Sequence, residues 1–113
     1  MKKIITLGHS PDADDAFMFY GISKGIVKSE KFIFEHIIQD IQSLNVLAIE
    51  NKIDTTAVSA HAYTKIHNNY RVMDCGASMG DGYGPILVSK KVFDSEKGLK
   101  IAIPGKLTSA FLL

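Results

Sequence analysis

The stretch KIITLGHSPDADDAFMFY, residues 3–20, predicts in order a strand, a tight turn and the start of a helix. Lys3 to Leu7 is a short, apolar, β-branched run that is followed by a glycine, a pattern that predicts a buried strand. Ser10 is a favoured helix N-cap, and Pro11 suits the first helical position because its missing N–H leaves no helical bond unmade there. Gly25 is the predicted end of this helix.

The same alternation of strand and helix continues along the chain. The further predicted strands are 32–38, 55–59, 70–75, 85–89 and 100–103, and the further predicted helices are 41–51, capped by Asp40, and 60–68. Strands that alternate with helices are typical of βαβ units and a mainly parallel sheet, so we expect an α/β fold. Ser109 to Leu113 predicts the first turn of another helix, which is too short to be stable alone. We therefore expect a truncated chain, with a frayed C-terminal tail as the alternative.

Composition excludes several classes of protein. The 113 residues are 46% hydrophobic and 22% charged, which is typical of one small globular domain and not of a disordered or fibrous chain. The formal charge of +1 and the scattered basic residues argue against nucleic acid as a partner. A single cysteine, Cys75, excludes an internal disulfide and fits a reducing compartment.

The apolar start of the chain is too short for a membrane or export segment. It is interrupted at residues 8–12, and no apolar run reaches the roughly 18 residues that a membrane helix needs. We therefore expect a cytoplasmic protein without a membrane partner.

Four loops follow the carboxyl ends of the predicted strands, where open parallel sheets bind their ligands. These loops are 8–14, 39–43, 59–61 and 104–110. The last is the better candidate for binding an anion, because Thr108 and Ser109 supply hydroxyls, Lys106 supplies charge and a helix start supplies free N–H groups. Simple helix capping by Thr108 and Ser109 is the alternative.

The first of these loops is rich in acidic residues. Asp12, Asp14 and Asp15 lie in the predicted first helical turn, where they complement the helix dipole, so we expect no metal there. His9 and Ser10 are candidates for lining the cleft. Neighbours on one turn rarely face each other, which argues against a nucleophile with its base.

The locations of the remaining histidines and of the cysteine are predicted from their neighbours in the sequence. His61 is a further candidate for the same cleft, whereas His36 and His67 are predicted to lie on the surface. Cys75 is predicted to be a small buried apolar group. The segment 76–85 contains four glycines but lacks the Gly-Lys-Ser/Thr ending of a phosphate-binding loop, and we interpret it as a flexible crossing segment.

Three motifs together resemble a known family. They are Gly8 to Tyr20, Gly82 to Pro85, and Pro104-Gly105 followed by Thr108-Ser109-Ala110. The resemblance is to the 1,4-dihydroxy-6-naphthoate synthase family of the futalosine pathway of menaquinone biosynthesis, whose members are longer than this chain. It agrees with the truncation inferred above.

The resemblance implies a fold and a division into lobes. The family has the fold of type II periplasmic binding proteins, in which two α/β lobes close over a cleft. By this analogy residues 1–85 form the first lobe, and residues 86–113 form a crossing strand and the start of the second lobe.

The resemblance also implies a reaction. The family enzyme is a lyase that converts cyclic de-hypoxanthine futalosine to 1,4-dihydroxy-6-naphthoate and needs no metal or organic cofactor. Its catalytic histidine is expected beyond Leu113, so no catalytic residue is assigned in this chain, and the chain alone is expected to be inactive.

The substrate contacts that the resemblance implies fall in two short segments. They are Ala57, Val58 and Ser59 in the turn after the third strand, and Ser109 and Ala110 at the last helix start. Ala57 stands where relatives often carry Lys, so a charged contact is lost there, whereas Ser109 replaces a familiar Thr and keeps the hydroxyl.

Three alternatives remain at this point. One is chorismate dehydratase, a sister enzyme of the same pathway, and another is a non-catalytic module that binds a small carboxylate. The third is a half-lobe that associates with itself through apolar groups of an unfinished second lobe.

Overall fold

The computed structural model describes residues 1–92, 94 and 98–113. Within these residues the strands are β1 (Lys3–His9), β2 (Phe32–Ile38) and β3 (Thr55–Thr56), and the helices are α1 (Ala13–Ser23), α2 (Ile41–Ile49) and α3 (Ala60–Ile66). A 3₁₀ turn covers Ser109–Phe111. Both neighbours of β1 run parallel to it, so the α/β fold is confirmed.

The sheet has the order β2-β1-β3, with β1 in the centre. The β1–β2 ladder extends from the pair Lys3–Phe32 to the pair His9–Ile38. The third strand is shorter than predicted: it ends at Thr56, and Ser59 N donates to Asn45 Oδ1 at 3.1 Å rather than to a neighbouring strand. Just before β3, Thr6 N and Thr6 Oγ1 donate to Asp54 Oδ2 at 2.9 and 2.8 Å.

The two crossovers run in opposite directions across the sheet, so right-handed connections place α1 and α2 on opposite faces. Side-chain contacts agree, because His9 of β1 stacks on Phe19 of α1, whereas Gly8 lies against Leu44 of α2. The buried core lies on the α2 side and consists of Leu44, Ala48, Ile53 and Ile66.

The cap Asp40 confirms the sequence prediction, whereas the cap Ser59 was not predicted, and both set helix starts at the carboxyl edge of the sheet. Asp40 Oδ1 accepts from Ser43 N at 3.0 Å at the start of α2, and Ser59 Oγ accepts from Ala62 N at 3.0 Å at the start of α3. Each bond satisfies an N–H group that has no partner within its helix.

The start of α1 differs from the prediction. The N-cap is Asp12 rather than Ser10, and its side chain makes no capping bond. Ser10 Oγ instead accepts from Asp12 N at 3.2 Å, so this serine shapes the turn before the helix. The predicted end is confirmed, because Gly25 follows the C-cap with a φ of +65°, which favours glycine.

Residues 71–103 do not form the strands predicted at 70–75, 85–89 and 100–103, as far as the structure describes this range. A strand needs a hydrogen-bonded neighbour, and no described strand pairs with these segments. The described side chains of residues 71–103 are exposed, including that of Cys75, which corrects the predicted burial. The radius of gyration is 17.0 Å, against about 13 Å for a compact domain of this length.

Residues 104–113 form the returning segment, which comes back to the packed part of the molecule. Leu107 N donates to Gln42 Oε1 of α2 at 2.9 Å. Gly105 has a φ of +132°, and a Cβ at this position would overlap the Gln42 side chain. The chain therefore approaches α2 here as closely as only a glycine allows. In the described part of the chain, every helix is too short or too polar to cross a bilayer.

Candidate functional site

The carboxyl edge of the sheet brings together the ends of β1 and β2 and the returning segment. A cleft of about 230 Å³ opens between them. It is lined by Pro11, Asp12, Asp40, Ile41, Gln42, Pro104 and Thr108. Of the residues predicted to line a cleft, Thr108 is among these, whereas His9 and Ser10 are buried just behind the edge.

A hydrogen-bonded network joins the turn after β3 to the returning segment. Asn45, which is fully buried, donates from Nδ2 to Ser59 Oγ at 3.3 Å and to Leu107 O at 3.2 Å. Its Oδ1 accepts from Ser59 N at 3.1 Å. Ser59 Oγ in turn donates to Leu107 O at 2.5 Å. The network fixes two segments that lie 48 residues apart in the sequence.

The five predicted substrate contacts lie on both sides of this network. Ala57, Val58 and Ser59 are half-buried, as are Ser109 and Ala110 in the 3₁₀ turn, which contacts α3. The backbone thus brings the two groups to the same edge of the sheet. Whether they touch a substrate stays a prediction.

Thr108 and His61 reinforce the returning segment. Thr108 is 7% exposed, and its Oγ1 donates to Gly105 O at 2.8 Å, which stabilises the turn before Ser109. His61 Nδ1 lies 3.4 Å from Thr108 O. Since a carbonyl oxygen only accepts, the histidine donates in this contact.

His9 and His36 form a pair behind the cleft, although His36 was predicted to lie on the surface. His9 Nδ1 lies 3.1 Å from Ser10 O, and His9 Nε2 lies 2.9 Å from His36 Nδ1. The carbonyl can only accept, so His9 carries its proton on Nδ1, and its Nε2 accepts from His36. Burial, with the neighbouring His9, lowers the pKa of His36.

The aspartates of the first loop are engaged in shaping it. Asp15 is 5% exposed and accepts from Ser10 N through Oδ2 at 2.6 Å. Hydrogen bonds from Ser78 and from the Asp15 N–H lower the pKa of Asp14. Within the described residues no group of three or more histidine, cysteine or acidic side chains has the arrangement of a metal site.

Nearly the whole chain is similar to one protein family. A family model described as menaquinone biosynthesis matches residues 5–113. The chain belongs to the menaquinone biosynthesis family. The match spans both the first loop and the returning segment, which are the parts that form the candidate site.

Two curated members of this family are named 1,4-dihydroxy-6-naphthoate synthase. The protein from Thermus thermophilus is 33% identical over 109 residues, which is 96% of this chain and 40% of that protein. The protein from Streptomyces coelicolor is 24% identical over 96% of this chain and 38% of its own length. The chain therefore spans about two fifths of these relatives.

A solved structure has a fold similar to that of this chain. It is the crystal structure of an Archaeoglobus fulgidus protein, with a TM-score of 0.67 and 48% sequence identity. The similarity covers 72% of this chain and 30% of that protein.

Two residues that hold the returning segment, Gln42 and Asn45, were not predicted from the sequence. A pattern in the sequence could have found Asn45, because it follows Ile41 by four positions and therefore lies on the apolar stripe of α2. A polar amide on the buried face of a helix needs hydrogen-bonding partners from elsewhere in the fold.

Proposed function

We propose that this chain provides substrate-binding residues of a 1,4-dihydroxy-6-naphthoate synthase, a cytoplasmic lyase that converts cyclic de-hypoxanthine futalosine to 1,4-dihydroxy-6-naphthoate. The observation that carries the proposal is the network of Asn45, Ser59 and Leu107, which joins the two predicted substrate-contacting segments at one edge of the sheet. Membership of the menaquinone biosynthesis family supports the pathway.

The charge distribution of the edge favours one orientation of a carboxylate substrate. Asp12 and Asp40 line the cleft, and hydrogen bonds from Ser43 lower the pKa of Asp40, so this side carries negative charge at neutral pH. These carboxylates repel the carboxylate of the substrate and accept hydrogen bonds from its hydroxyl groups. The carboxylate then lies toward Ser59 and Ser109, whose hydroxyls donate charge-assisted hydrogen bonds.

The proposed reaction needs groups that this chain does not provide. The substrate loses a proton to a histidine, and an elimination then opens its ring. We assign that histidine to a second lobe, so that residues 1–85 form the first lobe of a type II periplasmic-binding-protein-like enzyme and residues 86–113 lead into the other. Closure of the two lobes excludes water from the reacting centre. The chain alone is then inactive, and the exposed apolar groups of residues 71–103 favour self-association.

Calorimetry with 1,4-dihydroxy-6-naphthoate tests the proposed site in the 113-residue chain. We expect binding that weakens about fivefold or more in Ser109→Ala, because a hydroxyl donor to a carboxylate is lost. Ser89→Ala is the matched control, since Ser89 lies in the exposed segment and bonds only to Lys91 among the described residues.

Three results would contradict the proposal. One is equal affinity in Ser109→Ala and the wild type. Another is preferential binding of chorismate, which would indicate the sister enzyme of the pathway, chorismate dehydratase. The third is turnover of cyclic de-hypoxanthine futalosine by the chain alone, because the residue that takes the proton would then lie within these 113 residues.

A further inference from the structure

Two carboxamide side chains of α2 bind the same residue of the returning segment. Gln42 Oε1 accepts from Leu107 N at 2.9 Å, and Asn45 Nδ2 donates to Leu107 O at 3.2 Å. Gln42 and Asn45 lie three positions apart, which places them next to each other on the helix surface. Both backbone polar groups of Leu107 are thereby satisfied by side chains that are distant in sequence.

Asn45 also binds the other predicted substrate-contacting segment. Its Oδ1 accepts from Ser59 N, which fixes the orientation of the amide, since only the oxygen can accept from an N–H. Its Nδ2 then has two hydrogens, and these serve Ser59 Oγ and Leu107 O. The single side chain of Asn45 therefore connects both segments.

The hydroxyl proton of Ser59 is committed in this arrangement. A serine hydroxyl donates once, and here it donates to Leu107 O at 2.5 Å. If the hydroxyl turns to a ligand carboxylate, Leu107 O keeps its bond from Asn45 Nδ2. Because Leu107 O still has this donor after the hydroxyl turns, the desolvation cost of an unpaired carbonyl is avoided.

We propose that Gln42 and Asn45 form an amide clamp that positions the carboxylate subsite. The clamp holds Leu107 so that residues 108–110 stay at the edge of the cleft. When the Ser59 hydroxyl leaves Leu107 O to bind the ligand, Asn45 Nδ2 continues to donate to that carbonyl. Both are positioning residues, since they act through the segments they hold. The inference rests on the proposed function for the identity of the ligand.

The test compares two substitutions at position 42 in the 113-residue chain. Gln42→Glu keeps an oxygen acceptor for Leu107 N, whereas Gln42→Met has a similar length but removes the acceptor. We expect hydrogen exchange of the Leu107 amide to accelerate about tenfold or more in Gln42→Met, and to stay within about threefold of the wild type in Gln42→Glu. Affinity for 1,4-dihydroxy-6-naphthoate should follow the same order.

Asn45→Asp gives a second, independent comparison. The carboxylate still accepts from Ser59 N but cannot donate to Leu107 O, so we expect affinity to fall about tenfold or more. Gln42→Glu places the same added charge closer to the cleft, and Asn68→Asp places it on an exposed residue beyond α3. If these two variants keep their affinity, the loss in Asn45→Asp comes from the missing hydrogen-bond donor and not from repulsion between the added charge and the ligand.

The outcomes separate the clamp from the proposed function. Equal exchange of the Leu107 amide and equal affinity in Gln42→Met and the wild type would overturn the clamp, as would equally accelerated exchange of this amide in Gln42→Glu and Gln42→Met. A wild-type chain that binds no 1,4-dihydroxy-6-naphthoate overturns the proposed function and the positioning role with it. In that case exchange protection that still depends on Gln42 would reduce the clamp to a structural contact.

Discussion

Residues 1–70 and residues 71–103 have similar apolar content in their predicted strands but very different surroundings. In the first region α1 and α2 pack on β1, and α3 packs on α2. The hydroxyl of Tyr70 closes the region by donating to Ile53 O at 2.5 Å. In the second, the side chains of Ile86, Leu87 and Val88 are 83%, 53% and 86% exposed. The difference teaches that apolar β-branched sequence forms a strand only where a neighbouring strand is available.

The largest expected effect comes from emptying the core of the first region. Leu44→Ala removes a fully buried side chain and should lower the free energy of unfolding by about 2–5 kcal/mol. Val88→Ala in the second region should change it by less than about 0.5 kcal/mol. Urea unfolding measures both, and similar losses in the two variants would remove the distinction between the regions.

A smaller effect is expected from crowding the contact between β1 and α2. A Cβ at Gly8 would lie 2.6 Å from Ile53 Cδ1 and 2.8 Å from Leu44 Cδ2, so Gly8→Ala should cost about 1–3 kcal/mol of stability. Gly84→Ala is the matched control, because no atom lies within 4 Å of its Cβ position. Urea unfolding in which the two variants lose equal stability would show that β1 and α2 are not closely packed.

The smallest effect concerns pH. The unfolded chain protonates His36 near pH 6.5, but the native chain does so only at lower pH, because burial and His9 lower the pKa. The unfolded state therefore binds more protons below pH 6.5, and the free energy of unfolding should fall as the pH drops through this range. Urea titrations at several pH values should show a weaker dependence in His36→Asn and no change in the exposed control His67→Asn. Equal dependence in His36→Asn and the wild type would exclude His36 as the cause.

Local features of the fold could be predicted from the sequence. The bounds of β2 and the cap Asp40 follow from neighbouring residues alone, because strand propensity and N-terminal capping act over a few positions. The position of the last helical turn at Ser109 was likewise predicted. Its conformation is a 3₁₀ turn of three residues rather than the start of an α-helix.

Features that depend on distant residues could not be predicted in the same way. The burial of His36 depends on register, since β2 pairs with β1 so that His36 comes within hydrogen-bonding distance of His9. The exposure of Cys75 depends on the absence of a neighbouring described strand, which no local pattern reveals. The role of Asn45 could not be predicted, because its hydrogen-bonding partners Ser59 and Leu107 lie 14 and 62 residues away in the sequence.

The hydrogen bonds of the histidine pair decide which of its ring nitrogens stays available to other groups. Ser10 O holds the proton of His9 on Nδ1, and His36 Nδ1 occupies the other nitrogen. The remaining lone pair of the two rings therefore belongs to Nε2 of the half-buried His36. The pair therefore offers its free acceptor to outside groups on β2, at the edge of the described sheet, rather than on the central strand β1.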